Sequence, residues 1–152
     1  MAQPDSMTPA ARLIEHARSE RRAGRLVAAA ELQAEAVTLL RGGGDRAALA
    51  HAVRHAGDLA AALRRETEAE DLYAEALALY REDGGAPALD VANAVRAAAL
   101  QAERRGRADE ARGLWAEAAD RYRALDAEFE RMLGRPENPG LAEADRALAR
   151  LA

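Results

Sequence analysis

Cysteine is absent from this 152-residue chain, which removes disulfides, thiolate metal sites and cysteine nucleophiles together. Lysine is absent too: all 22 basic residues are arginine, a usage that reads as GC-rich coding bias rather than as chemistry. Only nine residues are Val, Ile or Thr, and β-branched side chains are what strands favour. Aromatic residues make up 3% of the chain, so a core has to come from close helix contacts across small side chains, with leucines and a few large plugs. No stretch approaches the roughly 20 apolar residues that a membrane span needs. The N-terminal MAQPDSMTP has no basic region followed by an apolar run, as a secretory signal would, and a cytoplasmic location is the expectation. With a formal charge of −4, no global field attracts nucleic acid or an anionic membrane.

Catalytic machinery is missing in the same way. Ser6 and Ser19 are the only serines, and neither lies in a nucleophile-elbow sequence. Gly42-Gly43-Gly44 lacks the Lys-Ser/Thr of a phosphate-binding loop and follows a helical pattern rather than a strand. Paired acids such as Glu68/Glu70 and Glu128/Glu130 stand two apart on helices and do not face each other. No catalytic residue and no cofactor is expected.

What the chain has in abundance is alanine, 42 residues of it. Alanine is the best helix former, so composition points to an all-α protein. The chain also repeats itself. Leu49 to Arg81 aligns without a gap on Val91 to Arg123 at a period of 42 residues, His51 falling on Asn93. Ala52-Val53-Arg54 matches Ala94-Val95-Arg96, Ala74-Glu75-Ala76 matches Ala116-Glu117-Ala118, and Tyr80-Arg81 matches Tyr122-Arg123. A more diverged copy precedes them at a shift of 40, Leu32 to Ala36 on Leu72 to Ala76 and Arg41 on Arg81. Self-similarity at a fixed period of this length means stacked supersecondary units.

Punctuation along the chain divides those units. Residues 1–8 read as a disordered lead-in. Thr8-Pro9 starts a helix, a hydroxyl cap followed by Pro at the first helical position. That helix runs to Arg22, and a second covers 25–41. Asp45 caps a third, which reaches about Arg65, and Thr67-Glu68-Ala69-Glu70 reads as a capping box opening the fourth. Asp83 to Pro87 ends the fourth helix. A fifth spans 88–105, stopped by Gly106, and a sixth runs from Ala108 to Leu133. Gly134 and the loop through Asn138 separate it from a last helix over 140–152. The reading is three antiparallel helix hairpins (9–41, 46–82 and 88–133) plus a C-terminal capping helix, in one solenoid domain over 9–152.

The hairpins resemble the tetratricopeptide repeat. The second carries Val53-x2-Ala56-Gly57-x2-Ala60 and then Ala69-x3-Tyr73-x2-Ala76; the third carries Val95-x2-Ala98-Ala99-x2-Ala102 and then Ala111-x3-Trp115-x2-Ala118. The first is the weakest match, with His16-Ala17 and Ala29-x3-Gln33-x2-Ala36. Its His16 falls where the pattern places a buried residue and is expected to be packed. The 42-residue period and Pro87-Ala88-Leu89-Asp90-Val91-Ala92 resemble the kinesin-light-chain-like variant found in bacteria. The resemblance implies a right-handed superhelix, with Ala69, Ala76, Ala111 and Ala118 as the packing seam and Tyr73 and Trp115 as plugs. It also implies a protein–protein adaptor whose first helices line a concave groove.

Charge is divided to match. The first helices (9–22, 46–65, 88–105) carry 11 Arg against 5 Asp or Glu, and the second helices (25–41, 66–82, 107–133) carry 8 against 15. Under the resemblance this becomes a basic groove and an acidic back, and a basic groove steers an acidic protein or peptide partner. The groove residues are Glu15 and Arg18, then His51, Arg54, His55 and Asp58, then Asn93, Arg96, Leu100 and Arg104. Arg54 and Arg96 are equivalent in register and able to fork onto carboxylates. Two alternatives stay open. His51, His55 and Asp58 share a helix face at i, i+4 and i+7 and form a candidate metal set, although the His-Glu-x-x-His of zinc proteases is absent. An incompletely capped hairpin would instead stack end to end into a homo-oligomer.

Overall fold

The computed structural model describes residues 6–133 and 138–152. The first five residues of the expected lead-in, and Gly134 with Arg135-Pro136-Glu137 of the expected loop, lie outside the described residues. Seven helices and no strand are found among those described: α1 (Pro9–Arg22), α2 (Leu26–Arg41), α3 (Arg46–Ala62), α4 (Glu66–Glu82), α5 (Ala88–Arg104), α6 (Ala108–Leu133) and α7 (Pro139–Arg150). Three of the starts are capped by side chains that accept otherwise unpaired backbone N–H groups. Thr8 Oγ1 accepts from Ala11 N at 3.1 Å, Asp45 Oδ1 from Ala48 N at 2.9 Å, and Asn138 Oδ1 from Gly140 N at 2.9 Å.

One turn geometry joins α1 to α2, α3 to α4 and α5 to α6. Gly24, Arg64 and Gly106 adopt left-handed φ of 77°, 62° and 72°. Each donates its N–H three residues back, to Arg21, Ala61 and Glu103. The next residue donates five back, Arg25 to Glu20, Arg65 to Ala60 and Arg107 to Ala102, all at 2.9 Å. This left-handed C-terminal cap satisfies the last carbonyls of the incoming helix and reverses the chain. It also corrects the expected capping box. The turn is complete at Arg65, so α4 begins at Glu66 and Thr67 lies inside the helix, beyond the capping position.

The helices fall into two compact units, one through Leu79 and the other from Tyr80. In the first, Val37, Ala52, Val53 and Ala76 form a buried cluster, with Ile14, Leu40, Leu49, Ala56, Leu72 and Leu79 packed against it. The expected seam holds: Ala69 and Ala76 are fully buried and Tyr73 nearly so. Gly57 permits that seating, because a Cβ there would stand 2.7 Å from Tyr73 Cε1. Gln33 occupies the plug position of the first repeat; it is buried and donates from Nε2 to the Ala52 carbonyl at 2.9 Å. His16 is not packed. Its side chain is 61% exposed, with Nε2 3.7 Å from Glu20 Oε1. The buried residues of α1 are Ala10 and Ala17, and a residue one step from Ala17 sits about 100° round the helix.

In the second unit Ala111, Ala118 and Trp115 are fully buried, and the indole Nε1 donates to Glu103 Oε1 at 2.6 Å. α7 packs on α6 and α5. Leu141, Ala144, Leu148 and Leu151 are the apolar face that its sequence suggests, but the residues it buries are Gly140, Ala144 and Ala147, and the leucines are only partly covered. The reason is steric. Gly140 lies directly over the Tyr122 ring, where any Cβ would overlap it, so small residues set the spacing between the two helices.

Candidate functional site

Each unit presents its own set of first-helix side chains. In the first unit, α3 carries a hydrogen-bonded cluster. Asp58 accepts from Arg54 Nη1 on Oδ2 at 3.0 Å and from the Tyr73 hydroxyl on Oδ1 at 2.8 Å. His55 Nδ1 is 3.4 Å from the same Oδ2. Arg54 Nη2 lies 2.9 Å from His55 Nε2, which in turn lies 3.1 Å from His51 Nε2. A guanidinium only donates, so His55 Nε2 accepts from Arg54, and the His55 proton sits on Nδ1 facing Asp58. Burial pushes the Asp58 carboxyl up, but the hydrogen bond from His55, the Arg54 charge and the Tyr73 hydroxyl outweigh it and hold the group below the ordinary aspartate range. Arg54, expected to offer its fork to a partner, is therefore committed within α3, its side chain 13% exposed. Among the described residues no group of three or more His, Asp or Glu side chains is placed to hold a metal ion. Around His51, His55 and Asp58 the guanidinium of Arg54 already stands at the shared donor atoms.

Beside this cluster a cleft of about 200 Å³ opens between α1, α2 and α3, lined by Ile14, Ala17, Arg18, Arg21, Gln33, His55 and Leu59. Ile14, Ala17 and Leu59 make its apolar floor. Arg18 and Arg21 are exposed at its rim, and Arg18 bonds Glu15 one turn back. Arg21 is absent from the residues that register alone selects, yet its i, i+3 spacing from Arg18 places it on the same helix face.

In the second unit, Asn93 is tied down by Tyr122, whose hydroxyl donates to Asn93 Oδ1 at 2.7 Å. Arg96 does fork onto a carboxylate, but the chain supplies it. Glu143 of α7 takes Nε and Nη2, the latter at 3.0 Å. Glu143 was not legible as a site residue, because sequence spacing says nothing of which face α7 turns to α5. Leu100 is half-buried, and Arg104 is exposed on the last turn of α5. Glu103 accepts from Arg150 Nη2 at 3.0 and 2.9 Å as well as from Trp115, which fastens α7 at its other end.

No family model and no curated protein matches the chain. Solved structures do. A protein of Podospora anserina, described as a kinesin light chain with nearly identical TPR-like repeats, superposes with a TM-score of 0.69 at 17% identity, over 99% of this chain and 69% of that one. A point variant of that protein gives 0.70 at 18% identity, over 98% and 68%. BtubC (BKLC) of P. vanneervenii gives 0.65 at 18% identity, over 91% of this chain and 60% of its own. At such identities the likeness concerns the fold: the chain has the architecture of tetratricopeptide-like helical repeats. No helix among the described residues is long and apolar enough to cross a membrane.

Proposed function

We propose that this chain is a non-catalytic protein–protein interaction module, a tetratricopeptide-like adaptor that receives an acidic peptide segment on its first helices. The observation that carries the reading is the cleft of the first unit, where Arg18 and Arg21 rim an apolar floor of Ile14, Ala17 and Leu59. A segment alternating acidic and apolar side chains satisfies both parts. Its apolar side chain leaves water in the cleft, and its carboxylates meet two guanidinium forks. His51, Arg54, His55 and Asp58 form a pre-organised wall beside it, their mutual bonds holding the rotamers that a partner would otherwise have to order. In the second unit Arg104 is an exposed cation on α5, with Asn93 and Leu100 on the same helix, and Arg96 becomes a further carboxylate receptor when Glu143 yields it.

A labelled peptide of alternating Glu and Leu, followed by fluorescence anisotropy, tests the reading. The Arg18→Ala/Arg21→Ala double variant is expected to bind about tenfold more weakly, as befits two partly screened charge pairs. Glu68→Ala on the outer face of α4 should leave binding unchanged. A peptide that binds the double variant as well as the native chain, or binds neither, overturns the proposal.

A further inference from the structure

One ion pair recurs from repeat to repeat. Arg41, the last residue of α2, forks onto Glu75 of α4, with Nη2 to Oε2 at 2.9 Å. At the equivalent place in the next repeat, Arg81 of α4 donates to Glu117 of α6 at 3.1 Å. In α4 the receiving carboxylate stands between Leu72 and Leu79, at i, i+3 and i+7 on one helix face. Both leucines are partly buried against the cluster that contains Val37 of α2. α4 thus receives the arginine of the preceding second helix on a Leu–Glu–Leu face, and α6 receives its own on Leu114, Glu117 and Arg121 in the same register.

α2 carries the same receiving face, Leu32, Glu35 and Leu39, at the shift of 40 that relates it to α4. Here Leu39 is 47% exposed, Glu35 is exposed and Leu32 is partly exposed. The chain also holds one more delivering arginine. Arg41 and Arg81 are used internally, but Arg123, next in register, bonds Asp120 on its own helix at 2.9 Å and reaches Asp145 of α7 at 3.5 Å. α7 stands where a following repeat would begin, with Gly140 on the Tyr122 ring and Ala144 and Ala147 buried. It is held by Glu143 on Arg96, by Arg150 on Glu103, and by the Leu151 carbonyl accepting from Arg112 at 3.1 and 2.8 Å.

We infer that the Leu32–Glu35–Leu39 face of α2 is a docking surface for a second copy of this chain, entered by the stretch of α6 around Arg123, which lies inside that longer helix, with α7 as the intramolecular competitor for that stretch. The contact is head-to-tail, since the two copies offer different surfaces, and the Arg–Glu pair sets its register as it does between repeats inside the chain. α7 limits association because its own carboxylates and small-residue seat occupy that stretch of α6.

Sedimentation of the full chain over a concentration series tests this. Gly140→Val unseats α7 by forcing a side chain into the Tyr122 ring. Should that variant lose helical circular dichroism, Glu143→Ala/Asp145→Ala releases the same helix by removing its ion pairs. Release is expected to strengthen self-association roughly tenfold or more. In the released background Glu35→Arg or Arg123→Glu should abolish association, and the two reversals together should restore it. A released chain that associates no better than the native one overturns the inference. So does association that survives either reversal, or a double reversal that fails to restore it.

Discussion

At the scale of single residues, Asp58 and Arg64 show how local chemistry and local backbone act in opposite directions. Asp58 is partly buried yet ionised, because three donors surround it. Its carboxyl is held below its ordinary range, so its contribution to stability is fully present above the unfolded value near 4 and is lost as pH falls through the folded one. Asp58→Asn leaves Arg54 without its carboxylate and is expected to cost about 1–3 kcal/mol at pH 7. In urea titrations that difference should begin to shrink as pH drops below the unfolded value near 4, and should vanish only below the depressed folded value, where the native side chain becomes neutral. A difference that is flat from pH 7 to pH 3 would show that the carboxylate charge is not what the cluster uses. Arg64 works against the fold. It holds a φ of 62° where the equivalent turns have glycine, and a side chain in the left-handed region costs roughly 1–2 kcal/mol. Glycine loses part of that gain to unfolded-state entropy. Arg64→Gly should therefore stabilise by up to about 1 kcal/mol, read as a raised urea midpoint with an unchanged slope.

Between elements, the packing rule is that an aromatic ring sits on a residue without a side chain. Tyr73 covers Gly57 where α4 meets α3, and Tyr122 covers Gly140 where α6 meets α7. Gly57→Ala places a methyl 2.7 Å from Tyr73 Cε1, inside the distance that real carbon contacts reach. The helices must part or the ring must move, at an expected cost of about 1–3 kcal/mol. Moving the ring also draws its hydroxyl from Asp58, so the two effects are coupled. In a Tyr73→Leu background the same glycine substitution should cost little, and a double-mutant cycle measures the difference. Full additivity in that cycle would mean that the ring does not set the spacing between α3 and α4.

At the scale of the whole molecule, charge is arranged by helix type rather than by total. The net charge is −4, yet the first helices carry 11 Arg against 5 Asp or Glu and the second helices 8 against 15, and the proposed peptide site draws its arginines from the first set. Binding of an acidic peptide should therefore weaken as salt rises from about 0.05 to 0.3 M, because exposed charge pairs are screened over about 8–10 Å near physiological ionic strength. Affinity that is flat or rises with salt would instead assign the energy to the apolar floor of the cleft. The arginines are not equally available for that role. Arg54 and Arg96 hold carboxylates of the chain itself at partly buried positions, whereas Arg18, although paired with Glu15, is exposed, as are Arg21 and Arg104.

How far the sequence reaches depends on whether a feature is periodic. The all-α class, the repeat spacing, the helix boundaries at Thr8, Asp45 and Gly106, and the burial of Ala69, Tyr73, Ala111 and Trp115 all follow from residue types recurring at helical and repeat periods. They are legible because a helix fixes which positions share a face. His16 and Thr67 failed where motif matching ran ahead of geometry. One lies off the buried face of α1, and the other lies past a turn that was already closed by Arg65. The side-chain partners that join different helices could not be read in advance. Arg54 and Arg96 look identical in register, but Arg54 meets Asp58 on its own helix and Arg96 meets Glu143 of α7. The first pairing is local and was available in the i, i+4 spacing. The second joins residues 47 apart and depends on how deeply α7 settles, which the contact of Gly140 with the Tyr122 ring decides. Helical periodicity determines which residues a surface contains, but only packing between helices determines which of their charges are already spent on one another.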